Sequence, residues 1–412
     1  MSQLKLIAGI ELSARQFTAA VGELQNQRRL VVQAVESIPA QGFEKEGLSD
    51  PIECADAVAR LIRQVERSLP AKVSSAMAAF PSNHLKSFDA EASIPIPDPT
   101  VGISRQDVER AISTCRTLSL DYDRQILHAF ERGFTVDGQS GVRNPVGLSG
   151  KKLEVALHLV TALNHTTQNL TRVLNRAGLE LEGFALPGLG ASEAVLSDLD
   201  RDLGVTFIRI GDFQTEVVLF DDGEVRETFL ISGGAEDLVE SLSRVFKLPR
   251  ISAEHLFEQV RSIEEKPPTE GNPNWASFPL RAGVGASVRT FPQGEVVQLV
   301  RTKAKDLLQR VQRRLVTSPI FLDSASGVVM VGHLSRLEGF LEMAEGMLNM
   351  PVRLGMVKDV ELGAGVTLRT QDLTAVGLIR YSLRRRLTAT ASTLPPWLRP
   401  LEKVQRLLQE YF

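Results

Sequence analysis

The sequence predicts an α/β protein with more than one core, and three observations carry that prediction. The chain opens as strand, strand, strand, helix, strand, an order that builds a mixed sheet with a helix against one face. Near its middle, residues 204–225 read as an apolar strand, a tight turn and a second strand, a hairpin signal set deep in the chain. At 412 residues the chain exceeds what one core can organise and suits two to four subdomains.

Composition narrows the function classes. With 24% charged residues, 43% apolar residues and a net charge of −3, the chain lacks the positive balance of a dedicated nucleic-acid binder and reads as an ordinary soluble globular protein. Cys54 and Cys115 are too few for a disulfide framework or a metal cluster, and each falls in a helical pattern, so both read as reduced packing residues. The opening MSQLKLIAGIEL has a single lysine and a short apolar run, which fits neither a signal peptide nor a membrane span, and a cytoplasmic location is expected.

Taken in order, residues 4–12, 17–24 and 30–38 are apolar runs between turn signals and form a meander of strands. Asp50 and Pro51 open a helix, the aspartate as N-cap and the proline at the first helical position, where its missing N–H is not needed. Ala55, Val58, Ala59, Ile62, Val65 and Leu69 recur at helical spacing as its buried stripe, and residues 72–80 give the next strand. Residues 81–99, rich in Pro, Ser and Asp, read as a crossing between subdomains. Ser104, with Asp107 three residues on, caps a helix whose Val108, Ala111, Ile112, Cys115 and Leu118 share a face. Strands over 125–136 and 153–162 flank a turn-rich segment, and a helix over 166–177 stops at Gly178, a glycine C-cap. Pro187, Gly188 and Leu189 read as a turn.

The central hairpin follows, with Val205, Phe207 and Ile210, the Gly211-Asp212 turn, and a strand over 217–220 ending at Asp221-Asp222-Gly223. Gly233-Gly234 leads into a helix carrying Leu238, Leu242, Val245 and Phe246, and residues 253–263 form another. The Pro, Gly, Asn and Ser of residues 266–294 predict a long surface loop. Residues 295–316 are an amphipathic helix with Val297, Val300, Ala304, Leu307, Leu308, Val311 and Leu315 inward. A strand over 328–331, a helix over 334–348 and an edge strand over 351–354 complete the reading.

The run HAFERGFTVDGQSGVRNPVGLSGKKLEVALHLVTA, residues 128–162, sets Asp137, Gly138, Gly141, Asn144, Pro145, Gly147, Gly150, Leu153, Glu154, His158 and Thr161 at fixed spacing. On those positions it closely resembles FtsA, the actin-like bacterial division family that anchors FtsZ to the membrane. Gly178-Leu179, Pro187-Gly188-Leu189, Leu203-Gly204 and Ala375-Val376-Gly377-Leu378 extend the resemblance over essentially the whole chain. It implies an actin-like (ribonuclease H-like) two-lobed α/β fold with an inserted SHS2 domain. The implied division is subdomain 1A at 1–82, 166–204 and 371–386, inserted subdomain 1C at 83–165, 2A at 205–231 and 325–370, and 2B at 232–324, then a linker at 387–396 and a membrane-targeting helix at 397–412.

The family holds ATP and magnesium through five elements, and the resemblance locates each of them. In the superfamily, the central hairpin carries a phosphate loop in which an acid holds the metal and bare glycines admit phosphate to backbone N–H groups. Here Arg209 stands at the acid position, and Asp212 and Phe213 follow Gly211 where glycines are expected. The first phosphate loop keeps its acid, Glu11, but has Ser13 and Ala14 at the glycine and hydroxyl positions. Gly233 and Gly234 persist, whereas Leu238 and Glu240 replace a Thr and an Asp. Phe257 and Arg261 stand for a Lys and a Gly, and the adenosine motif reads Val331-Gly332-His333-Leu334. Arg209 removes the anion that would hold magnesium, and Phe213 and His333 bring bulk where ligand contact is needed. The expectation is a degenerate nucleotide site without ATP, magnesium or another cofactor, without catalytic or metal-binding residues, and with a cleft that is empty or filled by side chains. Direct packing would then hold the lobes, including Phe213, Phe257 and an Arg209–carboxylate pair. Arginine's ability to grip phosphate without metal leaves Arg209 and His333 as an alternative anion site.

Residues 387–396, LTATASTLPP, read as a low-complexity linker. Beyond it Trp397, Leu398, Leu401, Val404, Leu407, Leu408, Tyr411 and Phe412 recur at spacings of one, three and four, opposite Arg399, Glu402, Lys403, Arg406, Gln409 and Glu410. That pattern fits a helix lying in the membrane interface and matches the family's membrane-targeting tail. The resemblance also implies that the long helix over 295–316 and its preceding loop receive the FtsZ C-terminal peptide, with Arg301, Lys303, Asp306 and Arg310 as contacts; a solvated charged face accounts for those residues equally well. The expected function is a cytoskeletal adaptor at the division site on the inner face of the cytoplasmic membrane. It would tether FtsZ, self-associate into filaments and recruit later divisome proteins, and it is not expected to bind nucleic acid. The alternatives are a nucleotide-regulated actin-like ATPase with an unusual pocket, and an FtsA- or PilM-like scaffold of another envelope machine.

Overall fold

The structure is a computed structural model and describes residues 6–25, 29–264, 277–281 and 288–393. Ile7–Leu12 (β1), Gln16–Gln25 (β2) and Arg29–Pro39 (β3) form the expected antiparallel meander. A short ladder of Phe43–Glu44 (β4) with Gly47–Leu48 (β5) precedes helix Pro51–Glu66 (α1). The Asp50 carboxylate accepts the N–H of Ile52 at 2.8 Å and of Glu53 at 3.0 Å, satisfying amides that a helix start leaves without partners. Ser75–Ala79 (β6) joins β1 in parallel.

The segment read as a bare crossing is mostly strand, Leu85–Pro95 (β7). Its Ala90, Ala92 and Ile94 are buried while the polar residues between them face solvent, so the composition that suggested a linker is the wet face of a half-buried strand. Arg105–Leu118 (α2) is closed by the Ser104–Asp107 capping box, with Ala111 and Cys115 buried and Leu118 exposed. Arg124–Val136 (β8), Gln139–Val142 (β9) and Lys152–Leu163 (β10) complete an antiparallel sheet of order β7-β10-β8-β9, with α2 packed against β7 and β10. This inserted unit has its own core, built around Ile94, Ile103, Phe134, Leu153 and Leu157.

Asn164–Arg176 (α3) and Glu180–Ala185 (β11) return the chain to the first sheet, where β11 pairs in parallel with β6. Pro187, Gly188 and Leu189 begin a helix, Pro187–Val195 (α4), and do not form a free turn. Proline at the first helical position explains the start, and α4 is buried along its whole length between the sheets. Asp198–Asp202 (α5) leads to the second lobe.

There Val205–Ile210 (β12), Gln214–Asp221 (β13) and Glu224–Ser232 (β14) make a second meander, followed by Ala235–Phe246 (α6) and Arg250–Gln259 (α7). The expected loop over 266–294 contains a hairpin of Ser277–Arg281 (β15) and Val288–Pro292 (β16), whose Phe278 faces Phe291 across the ladder. Gln293–Leu315 (α8) buries Val296, Val300, Ala304, Leu307, Leu308, Val311 and Leu315. Pro319–Leu322 (α9) precedes Val328–Gly332 (β17), which is parallel to β12. The helix expected over 334–348 is split into a short 3-10 turn and Phe340–Leu348 (α10), because Gly339 takes a left-handed φ of 85°. Val352–Leu354 (β18) extends the second sheet and Val360–Leu362 (β19), unmarked by any strand signal, extends the first. Leu373–Thr393 (α11) closes the described chain; it runs seven residues into the segment read as a linker, whose first helix breaker is Pro395.

The two main sheets share one topology. The order β3-β2-β1-β6-β11 in the first matches β14-β13-β12-β17-β18 in the second, with antiparallel hairpins on one side and parallel strands on the other. The expected two-lobed α/β architecture is therefore present, with the cleft between the ends of β1 and β12.

Candidate functional site: the interlobe cleft

Arg209 sits on β12, whose neighbours are buried apolar residues, and its guanidinium crosses from the second lobe to the first. It donates to the Glu11 carboxylate on β1, to Glu216 Oε1 on β13 at 3.2 Å and to Thr374 Oγ1 on α11 at 3.1 Å. The three side chains are deeply withdrawn from water, with 17% of Arg209, 10% of Glu11 and none of Glu216 exposed. Burial raises the Glu11 carboxyl above its ordinary value against the pull of Arg209 and Thr374. For Arg209, burial works against the charge, but Glu11, Glu216 and Asp212 prevail and keep it firmly cationic.

Sequence reasoning anticipated the Arg209–carboxylate pair but missed Glu216, the hub of the group. Its carboxylate also accepts from the Ser82 hydroxyl and from the Gly188 N–H near the start of α4, so every one of its partners is a donor. The signal was a lone Glu in the run Thr215-Glu216-Val217-Val218-Leu219-Phe220, an acid inside an otherwise buried strand, which demands a partner.

Several amides around the turns that would cradle phosphate are spent internally. Gly211 N–H donates to Gln214 O at 2.9 Å, Gly233 N–H to Phe213 O at 2.9 Å, and the first amides of α6, Ala235 and Glu236, to Gly211 O at 3.0 Å and Asp212 O at 2.9 Å. An anion arriving at this helix start meets carbonyl oxygens where it needs donors. Gly234 is retained for packing, since a Cβ there would lie 2.2 Å from Gly211 O, and Gly332, at φ 123°, lies equally tight on Ile210 O. Ser13 folds its hydroxyl onto Gln16 O at 3.0 Å within its own turn, next to Ala14.

Phe213 and Phe257 do not meet. Lys45 from the β4–β5 turn lies over the Phe213 ring at 5.3 Å, a contact between the lobes. Phe257, buried in the second lobe, packs its ring 5.0 Å from His333. His333 is held below its ordinary pKa by partial burial and by Arg15 nearby. Both aromatic residues were expected to take part in packing between the lobes; Phe213 does so through Lys45, whereas α7 keeps Phe257 within its own lobe. Side chains leave a cleft of about 620 Å³ on one side of the Arg209 group, lined by Glu11, Arg15, Arg261, His333, Arg336 and Arg369 among others, and a recess of about 80 Å³ on the other.

On α8, Lys303 pairs with Asp306 at 3.3 Å, and Arg310 donates to Ser232 O at 2.6 Å and Asp237 at 2.7 Å. Lys303, Asp306 and Arg310 share a surface groove of about 390 Å³ with Asp237, Glu240 and Arg244 of α6. Arg301 is not part of it and reaches the Ile263 carbonyl at 3.4 Å. Trp397 to Phe412 lie outside the described residues. Among the described residues no helix is long and apolar enough to cross a membrane, and no cluster of potential metal ligands is found.

Residues 82–161 match the family described as the SHS2 domain inserted in FTSA. The chain is 26% identical over 391 residues to the cell division protein FtsA of Pseudomonas aeruginosa, covering 92% of this chain and 90% of that one. It is 26% identical over 394 residues to FtsA of Escherichia coli K12, covering 94% and 92%. Among solved structures, a PilM-PilN type IV pilus biogenesis complex aligns with a TM-score of 0.63 at 14% identity, over 92% of this chain and 98% of that one. MreB5 of Spiroplasma citri bound to ADP aligns with a TM-score of 0.54 at 10% identity, over 95% and 99%. The inserted sheet, the paired lobes and these likenesses together give this chain an actin-like α/β fold with an inserted SHS2 domain, similar along nine-tenths of its length to the cell division proteins FtsA.

Proposed function

We propose that this chain is a cell-division adaptor that tethers FtsZ filaments to the inner face of the cytoplasmic membrane and self-associates without a nucleotide. The division role follows from its similarity to cell division proteins FtsA along nine-tenths of the chain. The α8 groove with Lys303, Asp306 and Arg310 would receive the FtsZ C-terminal peptide, residues 397–412 would lie on the membrane, and later divisome proteins would join the assembly.

One observation carries the nucleotide-free part of the reading: Arg209 bridges Glu11 and Glu216 where the family places a metal-holding acid. A cation built into the chain does what a metal and phosphates would do, joining β1 to β12 across the cleft. The amides of Gly211, Gly233, Ala235 and Glu236 already donate to carbonyl groups, which supports the same reading. A second reading, a nucleotide-regulated ATPase, draws on the retained Glu11 and on a cleft of about 620 Å³, a size common for small-molecule sites. Titrating purified protein with ATP and magnesium by calorimetry, beside imaging of filaments on lipid, separates the two. Filaments without binding heat support the proposal; saturable micromolar binding overturns it in favour of the ATPase.

A further inference from the structure

We infer that the inserted domain is a strut between the lobes, a second latch that fixes their relative position independently of Arg209. The domain is rooted in the first lobe and docked on the second, and the two attachments use different side chains. At the root, buried His128 on β8 accepts the Leu186 N–H at the start of α4 through Nε2 at 3.0 Å, so its Nδ1–H faces the Tyr381 hydroxyl on α11 at 3.2 Å. Within the inserted unit, Arg124 braces the same end through the His84 carbonyl at 3.0 Å and the Thr161 carbonyl at 2.7 Å.

At the other attachment the inserted sheet covers β14, the edge strand of the second sheet. An edge strand presents unpaired N–H and C=O groups. Here both groups of Thr228 are taken by side chains of the inserted domain: His158 Nε2 accepts its N–H at 2.9 Å and Ser87 Oγ donates to its C=O at 2.8 Å. His158 is only 3% exposed, and its Nδ1–H donates to Asp89 at 2.6 Å, which fixes the ring for that contact. Around it, Arg132 joins Asp89 to Glu227, Arg226 donates to the Glu131 carbonyl at 2.9 Å, and Arg143 meets Asp222 at 2.6 Å.

Swinging the second lobe away from the first must strip Thr228 of both partners as well as break Arg209 from Glu11. Each buried polar group left without a partner opposes that motion. The lobes are therefore held from two sides, through the cleft and through the inserted domain.

The test measures the interlobe distance by electron spin resonance, with labels on Gln64→Cys of α1 and Gln309→Cys of α8, both exposed; native Cys54 and Cys115 are buried and stay unlabelled. Three variants are compared with the parent: R209M, H158L/R132A, and the two combined. A narrow distribution in the parent and in R209M, with a second, longer-distance population in the combined variant, is the expected result. Opening by H158L/R132A alone supports the strut as well. The inference is overturned if the combined variant opens no further than R209M, or stays narrow. Should H158L/R132A fail to fold, hydrogen exchange of the unaltered protein decides: a Thr228 amide protected like the central β12 amides supports the strut, and one exchanging like an uncovered edge amide overturns it.

Discussion

Burial sets the protonation state of His128. Withdrawal from water, helped by repulsion from Arg385, pushes its imidazole down from 6.5 to about 3. The unfolded chain then binds a proton that the folded chain refuses at intermediate pH. The stabilising contribution is complete above pH 6.5 and is lost as pH falls from there toward 3, at up to about 1.4 kcal/mol per pH unit. Urea midpoints of the parent should thus decline between pH 7 and 5 more steeply than those of His128→Gln, and parallel curves would refute this assignment. The buried polar residues differ in how far they could be read from sequence. Arg209 was legible because it stands where a family motif places an acid, a local mismatch. His128 and Glu216 act through partners more than fifty residues away or in another lobe, Leu186 and Tyr381 for one and Ser82 for the other, and no local pattern reports such pairings.

The α4–α11 crossing packs two helices at backbone contact. A Cβ added at Gly377 would lie 1.8 Å from the Gly190 carbonyl oxygen and 2.8 Å from its carbon, both backbone atoms that no side-chain rotation can move aside. Gly377→Ala is expected to destabilise the chain by about 1–3 kcal/mol through overpacking. Gly346 on α10 is the matched control, since a Cβ there meets nothing within 4 Å. Gly346→Ala should stabilise by about 0.4–1 kcal/mol by restricting the unfolded chain. Chemical denaturation of both variants checks the pair, and equal effects would show that the crossing tolerates a Cβ. Elements with local caps or a clear period, such as α1, α2 and α8, were legible in the sequence. α4 was not, because burial on every side erases its amphipathic period and leaves only Pro-Gly-Leu, which reads as a turn. β7 was hidden for the opposite reason, as its polar face, partly in solvent and partly turned toward β14, supplied the Ser, Asp and Glu that mimic a linker.

For the whole molecule, the proposed membrane role asks how a chain whose lobes are bridged by Arg209 would be held on a lipid surface. α11 leaves the first lobe and continues through Thr393, so the segment after it is delivered from a helix anchored by Arg384 to Asp198 at 2.6 Å and by Ser382 to Glu182 at 2.6 Å. That segment sets Trp397, Leu401, Leu408 and Phe412 against Arg399, Lys403 and Arg406, which are nearly balanced by Glu402 and Glu410. With so little net charge, attraction to anionic lipid contributes weakly, and apolar burial must supply the affinity. As proposed, a single short interfacial helix would bind reversibly, so avidity from self-association should hold the assembly in place. In liposome flotation the full chain should therefore float while a chain lacking residues 397–412 stays in solution. A roughly tenfold rise in salt should leave flotation largely unchanged, because screening acts on charge and not on apolar contact. Equal flotation of both chains would remove the membrane role from the tail, whereas loss of flotation at high salt would transfer the affinity from its apolar face to its basic residues.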